Sequence, residues 1–181
     1  MRSRSLILTV IVLASPAAPA VALAQASTSF GVAAGASVPV GSFGDAVGTG
    51  YHAMAMLNVS APLAPVGFRI DGMFNEFNFK GGGSDKDRVF AVTGNVLLNT
   101  GSAVVASPYL IGGGGWYHNS LTFNDALVGS GSSTDNQFGF NLGAGLRIPL
   151  TGFSAFVEAR FHKMLGGSNI QFIPTTFGIN F

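Results

Sequence analysis

Residues 171–181 read Gln-Phe-Ile-Pro-Thr-Thr-Phe-Gly-Ile-Asn-Phe, and the fold turns on how that stretch is patterned. Ile173, Thr175, Phe177, Ile179 and Phe181 share one parity, while Pro174, Thr176, Gly178 and Asn180 take the other. Successive side chains of a strand point to opposite faces, so this period predicts a β-strand with one apolar face. The strand stops on an aromatic side chain, where soluble domains usually leave a few polar, poorly ordered residues.

The same alternation recurs upstream. Strand 7 sets Ala155, Val157, Ala159 and Phe161 against Phe156, Glu158, Arg160 and His162, and residues 164–169 link it to the last strand. In strand 6, Phe138, Phe140, Leu142, Ala144, Leu146 and Ile148 oppose Asn141, Gly143, Gly145 and Arg147. A Thr151-Gly152 turn separates the two, and a connection over 151–154 would set Arg147 opposite Glu158. Residues 118–135, rich in Ser, Gly, Asn and Thr, read as the longest polar loop. Strand 5 begins at Ala103 or later, contains Gly112–Gly115 and ends at Trp116-Tyr117, an aromatic pair of the kind found at membrane interfaces. Strand 4 spans 87–99, with Phe90, Val92, Val96 and Leu98 on its apolar parity.

Strand 3, over 66–75, carries Phe68, Ile70, Gly72 and Phe74 against Arg69, Asp71, Met73 and Asn75. Phe77 and Phe79 then break the parity, which predicts either a bulge near Asn75 and Glu76 or a strand risen above the apolar layer. Strands 2 (51–60) and 1 (30–38) complete a set of eight, with 39–50 between them as loop. Connections after strands 2, 4 and 6 are short, and those after 1, 3, 5 and 7 are longer. An even strand number with alternating short and long connections is the pattern of an antiparallel transmembrane up-and-down barrel. Two aromatic girdles are predicted, with Phe30, Phe68, Tyr109, Phe153 and Phe181 at the turn ends and Tyr51, Phe74, Trp116, Tyr117 and Phe161 at the loop ends.

Composition agrees. Only 9% of residues are charged and 48% are hydrophobic, with mean hydropathy +0.44 and 26 glycines, whereas soluble domains carry about a quarter charged residues. Beyond the N-terminus no apolar run reaches the roughly 18 residues of a spanning helix. The N-terminus reads as a secretory leader: Arg2 and Arg4 precede an apolar segment over 6–14, and Ala22-Leu23-Ala24 is a cleavage site, with Ala24-Gln25-Ala26 as a second choice. The expected organisation is a cleaved signal peptide over 1–24 and a single barrel domain over 25–181. Cleavage leaves seven basic against eight acidic residues, a balance that gives no footprint for nucleic acid. Cysteine is absent, and a barrel closed by its own ladder needs no disulfide.

The patterning of residues 25–181 resembles the small eight-stranded bacterial outer-membrane barrels, the OmpX-like and OmpA-transmembrane-domain-like group. Phe177, Ile179 and Phe181 resemble the C-terminal assembly signal of such barrels. The resemblance implies short periplasmic turns, longer extracellular loops, outer-membrane lipids as surroundings, and the barrel assembly machinery as a partner during biogenesis. It implies no cofactor.

Candidate chemistry is sparse. Arg69, Asp71, Arg147, Glu158 and Arg160 fall on the inward parity and are expected to form a structural charge network, because an eight-stranded barrel is just wide enough for side chains to fill. Asp71 and Glu158 do not read as a catalytic acid/base pair beside three arginines. His52 and His162 are inward, have no metal-type spacing, and have no cysteine to join. His118 with Ser120 is the loosest hydrolase candidate, because no third group orients the base. Gly112–Gly115 lacks the helix and the Gly-Lys-Ser/Thr of a phosphate loop and reads as barrel geometry. The 80–88 segment reads as a solvated loop.

The leading functional reading is a non-enzymatic outer-membrane barrel with a side-chain-filled lumen, acting in envelope integrity or in surface contact with an extracellular ligand through its loops. The alternatives are a lipid-modifying enzyme similar to lipid A deacylases and a soluble lipocalin-like carrier. A carrier would place its large apolar residues inside and its charges outside, opposite to strands 3, 6 and 7. A diffusion pore needs about 16 strands or more.

Overall fold

The computed structural model describes residues 27–60, 65–81, 85–101, 105–125, 129–167 and 169–181. Eight strands follow one another around a closed barrel: β1 (Ser27–Pro39), β2 (Gly50–Ser60), β3 (Val66–Asn78), β4 (Lys86–Asn99), β5 (Ser107–Asp125), β6 (Gly129–Leu150), β7 (Phe153–Met164) and β8 (Gln171–Asn180). Each pairs antiparallel with its neighbours, and β1 closes on β8 from Gly31↔Asn180 to Pro39↔Phe172. Closure leaves no sheet edge unpaired, and an edge is what lipid does not tolerate. The expected 25–181 domain is described from Ser27 on, and the signal peptide lies outside the described residues.

The two faces are chemically inverted relative to a soluble protein. Outward side chains are large and apolar, with Phe138 at 74% exposure, Phe177 at 68% and Leu142 at 64%. Inward side chains include Arg69, Asp71, Glu158 and Arg160, all nearly fully buried. An exposed apolar surface of that extent marks contact with a membrane or another protein.

The structure departs from the sequence expectation in four places. First, of the two alternatives for residues 75–79 the bulge is excluded, because the register of β3 with β4 runs unbroken from Val66↔Leu98 to Asn78↔Lys86. Phe77 breaks the apolar parity because it points inward, where it meets Phe43 edge-on at 5.2 Å and Phe172 at 5.6 Å. Phe43 comes from a short helix, α1 (Gly41–Ala46), within the segment expected to be loop. That segment is tied down by backbone bonds from Val40 to Gln171, Gly48 to Asn78 and Lys80 to Ala46. Phe43, Phe77 and Phe172, with Val47, Met164 and Ile170, form an apolar stopper at the loop end of the lumen.

Second, residues 118–135 are largely strand. β5 and β6 continue as a paired hairpin from Tyr117↔Gln137 to Asp125↔Gly129. Hydrophobic period disappears there because residues such as Ser120, Thr122, Ser132, Ser133 and Thr134 are small and polar, so the backbone ladder, flanked by β4 as far as Thr122, makes the strand without an apolar pattern to mark it. Third, Tyr109 and Tyr117 leave the proposed girdles. Both sit on the odd, inward parity of β5 and are buried. Fourth, the β6–β7 connection is a two-residue turn, Thr151-Gly152, with Leu150↔Phe153 as the closing pair and Gly152 at φ +86°. That shifts the register by two residues, so Arg147 faces Phe156 and Glu158 faces Gly145 rather than each other.

Candidate functional site: the charged lumen

Two arginines and two carboxylates interlock inside the barrel. Arg69 contacts Asp71 through Nε at 2.9 Å and Glu158 through Nη2 at 2.7 Å. Arg160 contacts Asp71 through Nη1 at 2.7 Å and Glu158 through Nε at 2.8 Å. Each carboxylate therefore faces both guanidinium groups, and the set is neutral. Neutral donors complete it: Tyr109 Oη donates to Glu158 Oε2 at 2.8 Å and Asn95 Nδ2 to Asp71 Oδ2 at 2.9 Å. Asn141 Nδ2 donates in turn to Asn95 Oδ1, and Arg160 Nη2 to Met54 Sδ. Burying four charges is costly unless they are paired and hydrogen-bonded, and here β3, β4, β5, β6 and β7 all contribute to the pairing.

Arg147 stands apart from this set. Its guanidinium carbon lies 5.5 Å from the centre of the Tyr109 ring, toward the turn end, and it makes no ion pair among the described residues. Sequence reasoning misses Tyr109 because its position suggests a girdle, although its parity on β5 points inward. Gly145 makes the arrangement fit: a Cβ there would collide with the Tyr109 ring and hydroxyl.

Nearer the loop end lies a contact the spacing of residues does not reveal. Ser37 Oγ is 3.0 Å from His52 Nδ1, both buried, which superficially matches a serine–histidine pair. Ser37 donates its proton to Asn75 Oδ1 at 2.7 Å, so the ring must donate from Nδ1 to Ser37 and accept at Nε2 from Thr176 Oγ1, 3.0 Å away. A ring that donates to the hydroxyl cannot act as its base. His162 likewise bonds Tyr117 Oη at 2.9 Å and stacks on Phe172 at 5.1 Å. On the outer face, His118 is held by Asn136 at 2.9 Å and stacks on Trp116, with no bond to Ser120. No group of three or more metal-ligating side chains occurs among the described residues.

The Gly112–Gly115 run lies within β5, and a Cβ at Gly115 would run into the Val92 carbonyl oxygen. Gly113 and Gly115 lie against the backbone of β4, whereas Gly112 and Gly114 lie against β6. Outside the network, Glu76 is bridged by Lys86 at 2.6 Å and Arg88 at 2.8 Å at the loop end, so part of the 80–88 segment is tied to β3.

No protein-family model matches the sequence, and no curated protein matches it. Among solved structures, the chain is similar to the neisserial surface protein A, with TM-score 0.63 and 12% identity over 86% of this chain and 97% of that one. It is similar also to a major outer-membrane protein of Thermus thermophilus, with TM-score 0.61 and 14% identity over 86% and 98%. A third is Ail, the attachment invasion locus protein of Yersinia pestis, in complex with the heparin analogue sucrose octasulfate, with TM-score 0.57 and 16% identity over 86% and 97%. The chain thus has the fold of the small eight-stranded outer-membrane barrels.

Proposed function

We propose that the protein is a non-enzymatic outer-membrane barrel that spans the bilayer with a closed, ion-paired lumen and presents the β5–β6 hairpin outside the cell. Residues 1–24 direct secretion and are removed, outer-membrane lipids surround the apolar face, and the assembly machinery reads Phe177, Ile179 and Phe181. The observation that carries this reading is the inversion of the two faces: charge pairs inside, large apolar side chains outside. The Arg69, Asp71, Glu158 and Arg160 network serves as an internal plug rather than a reaction centre.

Contact with a surface ligand falls to the hairpin, in keeping with a role in envelope integrity or adhesion. The polyanion bound in the Ail structure is not carried over, because residues 118–135 contain Asp125 and Asp135 but no Lys or Arg. Their hydroxyl and amide side chains suit a neutral, hydrogen-bonding partner instead. An epitope tag inserted between Asp125 and Gly129 is expected to bind antibody on intact cells, with the protein in the outer-membrane fraction. Labelling only after lysis would overturn the orientation.

A further inference from the structure

The two ends of the lumen differ. The loop end is closed by the apolar stopper, whereas the turn end opens as a recess of about 90 Å³ lined by Asn58, Ser60, Asn99, Arg147, Ser154 and Asn180. Every one of those six polar residues sits on the inward parity of its strand. Arg147 is the single cation at this end of the described barrel: Lys80, Lys86, Arg88 and Lys163 lie at the loop end, and Arg69 and Arg160 are consumed by the network. Glu158, the nearest carboxylate on the paired strands, is occupied by Arg69, Arg160 and Tyr109.

The guanidinium is also held in place. Tyr109 is fixed by its bond to Glu158 and offers its ring to Arg147. That ring contact uses none of the guanidinium N–H groups, which have no hydrogen-bond or ion-pair partner among the described residues, and a guanidinium's planar fork matches an oxyanion bidentately. Around it, Asn58 Nδ2 donates to Asn180 Oδ1 at 2.9 Å, and the Asn180 side-chain N–H groups have no partner among the described residues. Serine hydroxyls add donors free to rotate. The recess is far smaller than the roughly 300 Å³ of a pocket for a drug-sized ligand, so it admits one headgroup-sized oxyanion and not a chain.

We infer that the turn-end mouth is an oxyanion site in which Arg147 binds a phosphate group. Phe68 and Val59 also line the recess, so it reaches the apolar rim, where the phosphate of a lipid headgroup would lie. A soluble phosphate would enter from the aqueous side. That this side is the periplasm rests on the orientation proposed above, but binding to the purified protein does not.

The test uses the mature chain refolded in an alkyl maltoside, which carries no phosphate, titrated separately with inorganic phosphate and with dihexanoyl phosphatidylglycerol. The Arg147 Nε–H resonance and the Ser154 and Asn180 amides are followed by NMR. At least one probe is expected to shift these signals saturably. Arg147→Gln should weaken that binding about tenfold or more, as for loss of a charge-assisted bond. Arg147→Lys should retain part of it, and Arg88→Gln at the loop end should change nothing. Saturation by the lipid alone assigns a headgroup, and saturation by phosphate alone assigns a soluble ligand. Absence of saturation with both probes overturns the site, as does equal binding by Arg147→Gln. The wild-type titration decides even where a variant fails to fold.

Discussion

Glu158 accepts from Arg69 and Tyr109 and lies 2.8 Å from Arg160, so removing its charge leaves two guanidinium groups short of a partner in a desolvated lumen. Breaking a buried pair in this way costs about 3–5 kcal/mol, whereas replacing both partners with apolar residues of similar volume is often near neutral. Unfolding of Glu158→Gln, Arg69→Met and the double variant in lipid vesicles is therefore expected to be strongly non-additive. The same cycle with Arg147→Met in place of Arg69→Met should be close to additive, because Arg147 reaches Glu158 only through Tyr109. Equal coupling in the two cycles would return Arg147 to the network. At this scale, strand parity makes the inward direction of Arg69, Asp71, Glu158 and Arg160 readable from sequence. Their partners are not readable, because a contact across the barrel depends on a two-residue turn at Thr151-Gly152 and on the space Gly145 leaves for Tyr109.

β5 and β6 outrun their neighbours. Thr122↔Lys86 is the last row in which β5 also pairs with β4, so residues beyond Thr122 and Ser132 pair only with each other. Removing 123–131 and closing the ladder with Asn-Gly, which suits a two-residue hairpin, is expected to leave heat-modifiable folding and unfolding stability unchanged. A clear loss of stability would show that the hairpin supports the barrel. The positions of the membrane-level strands were legible because lipid on one side and lumen on the other impose period 2 on residues such as 138–148. The hairpin tip and α1 were not, since the tip is built from small polar residues with no apolar alternation and α1 is a six-residue helix with one buried side chain, Phe43, too short to show a helical period. Phe77 was legible as an anomaly only: its meaning depended on Phe43 and Phe172, which are distant in sequence.

For the molecule as a whole, closure depends on β8 meeting β1. The last residue takes part, because Phe181 N donates to Phe30 O at 2.8 Å and Phe30 N donates to Phe181 O at 3.3 Å. Phe177 and Phe181 remain exposed on the outer face at 68% and 63%, available to be read before burial in lipid. Deleting Phe181 is expected to lower the folded outer-membrane yield while secretion continues. Unchanged yield would remove the assembly role proposed for this end of the chain. The number of strands and their antiparallel order were visible in the spacing of turns, whereas barrel sealing at the loop end was not, because it is made by side chains from α1, β3 and β8 together.

On the proposed function the outer apolar face meets lipid while the charges stay within, and the chain carries its own reporter. Trp116 is its single tryptophan, points outward at the loop-end rim, is 38% exposed and packs against Phe90. In vesicles whose acyl chains are brominated near the carbonyl end, Trp116 fluorescence should be strongly quenched, and aqueous iodide should have little effect. Emission untouched by the brominated lipid and open to iodide would contradict contact of that face with lipid.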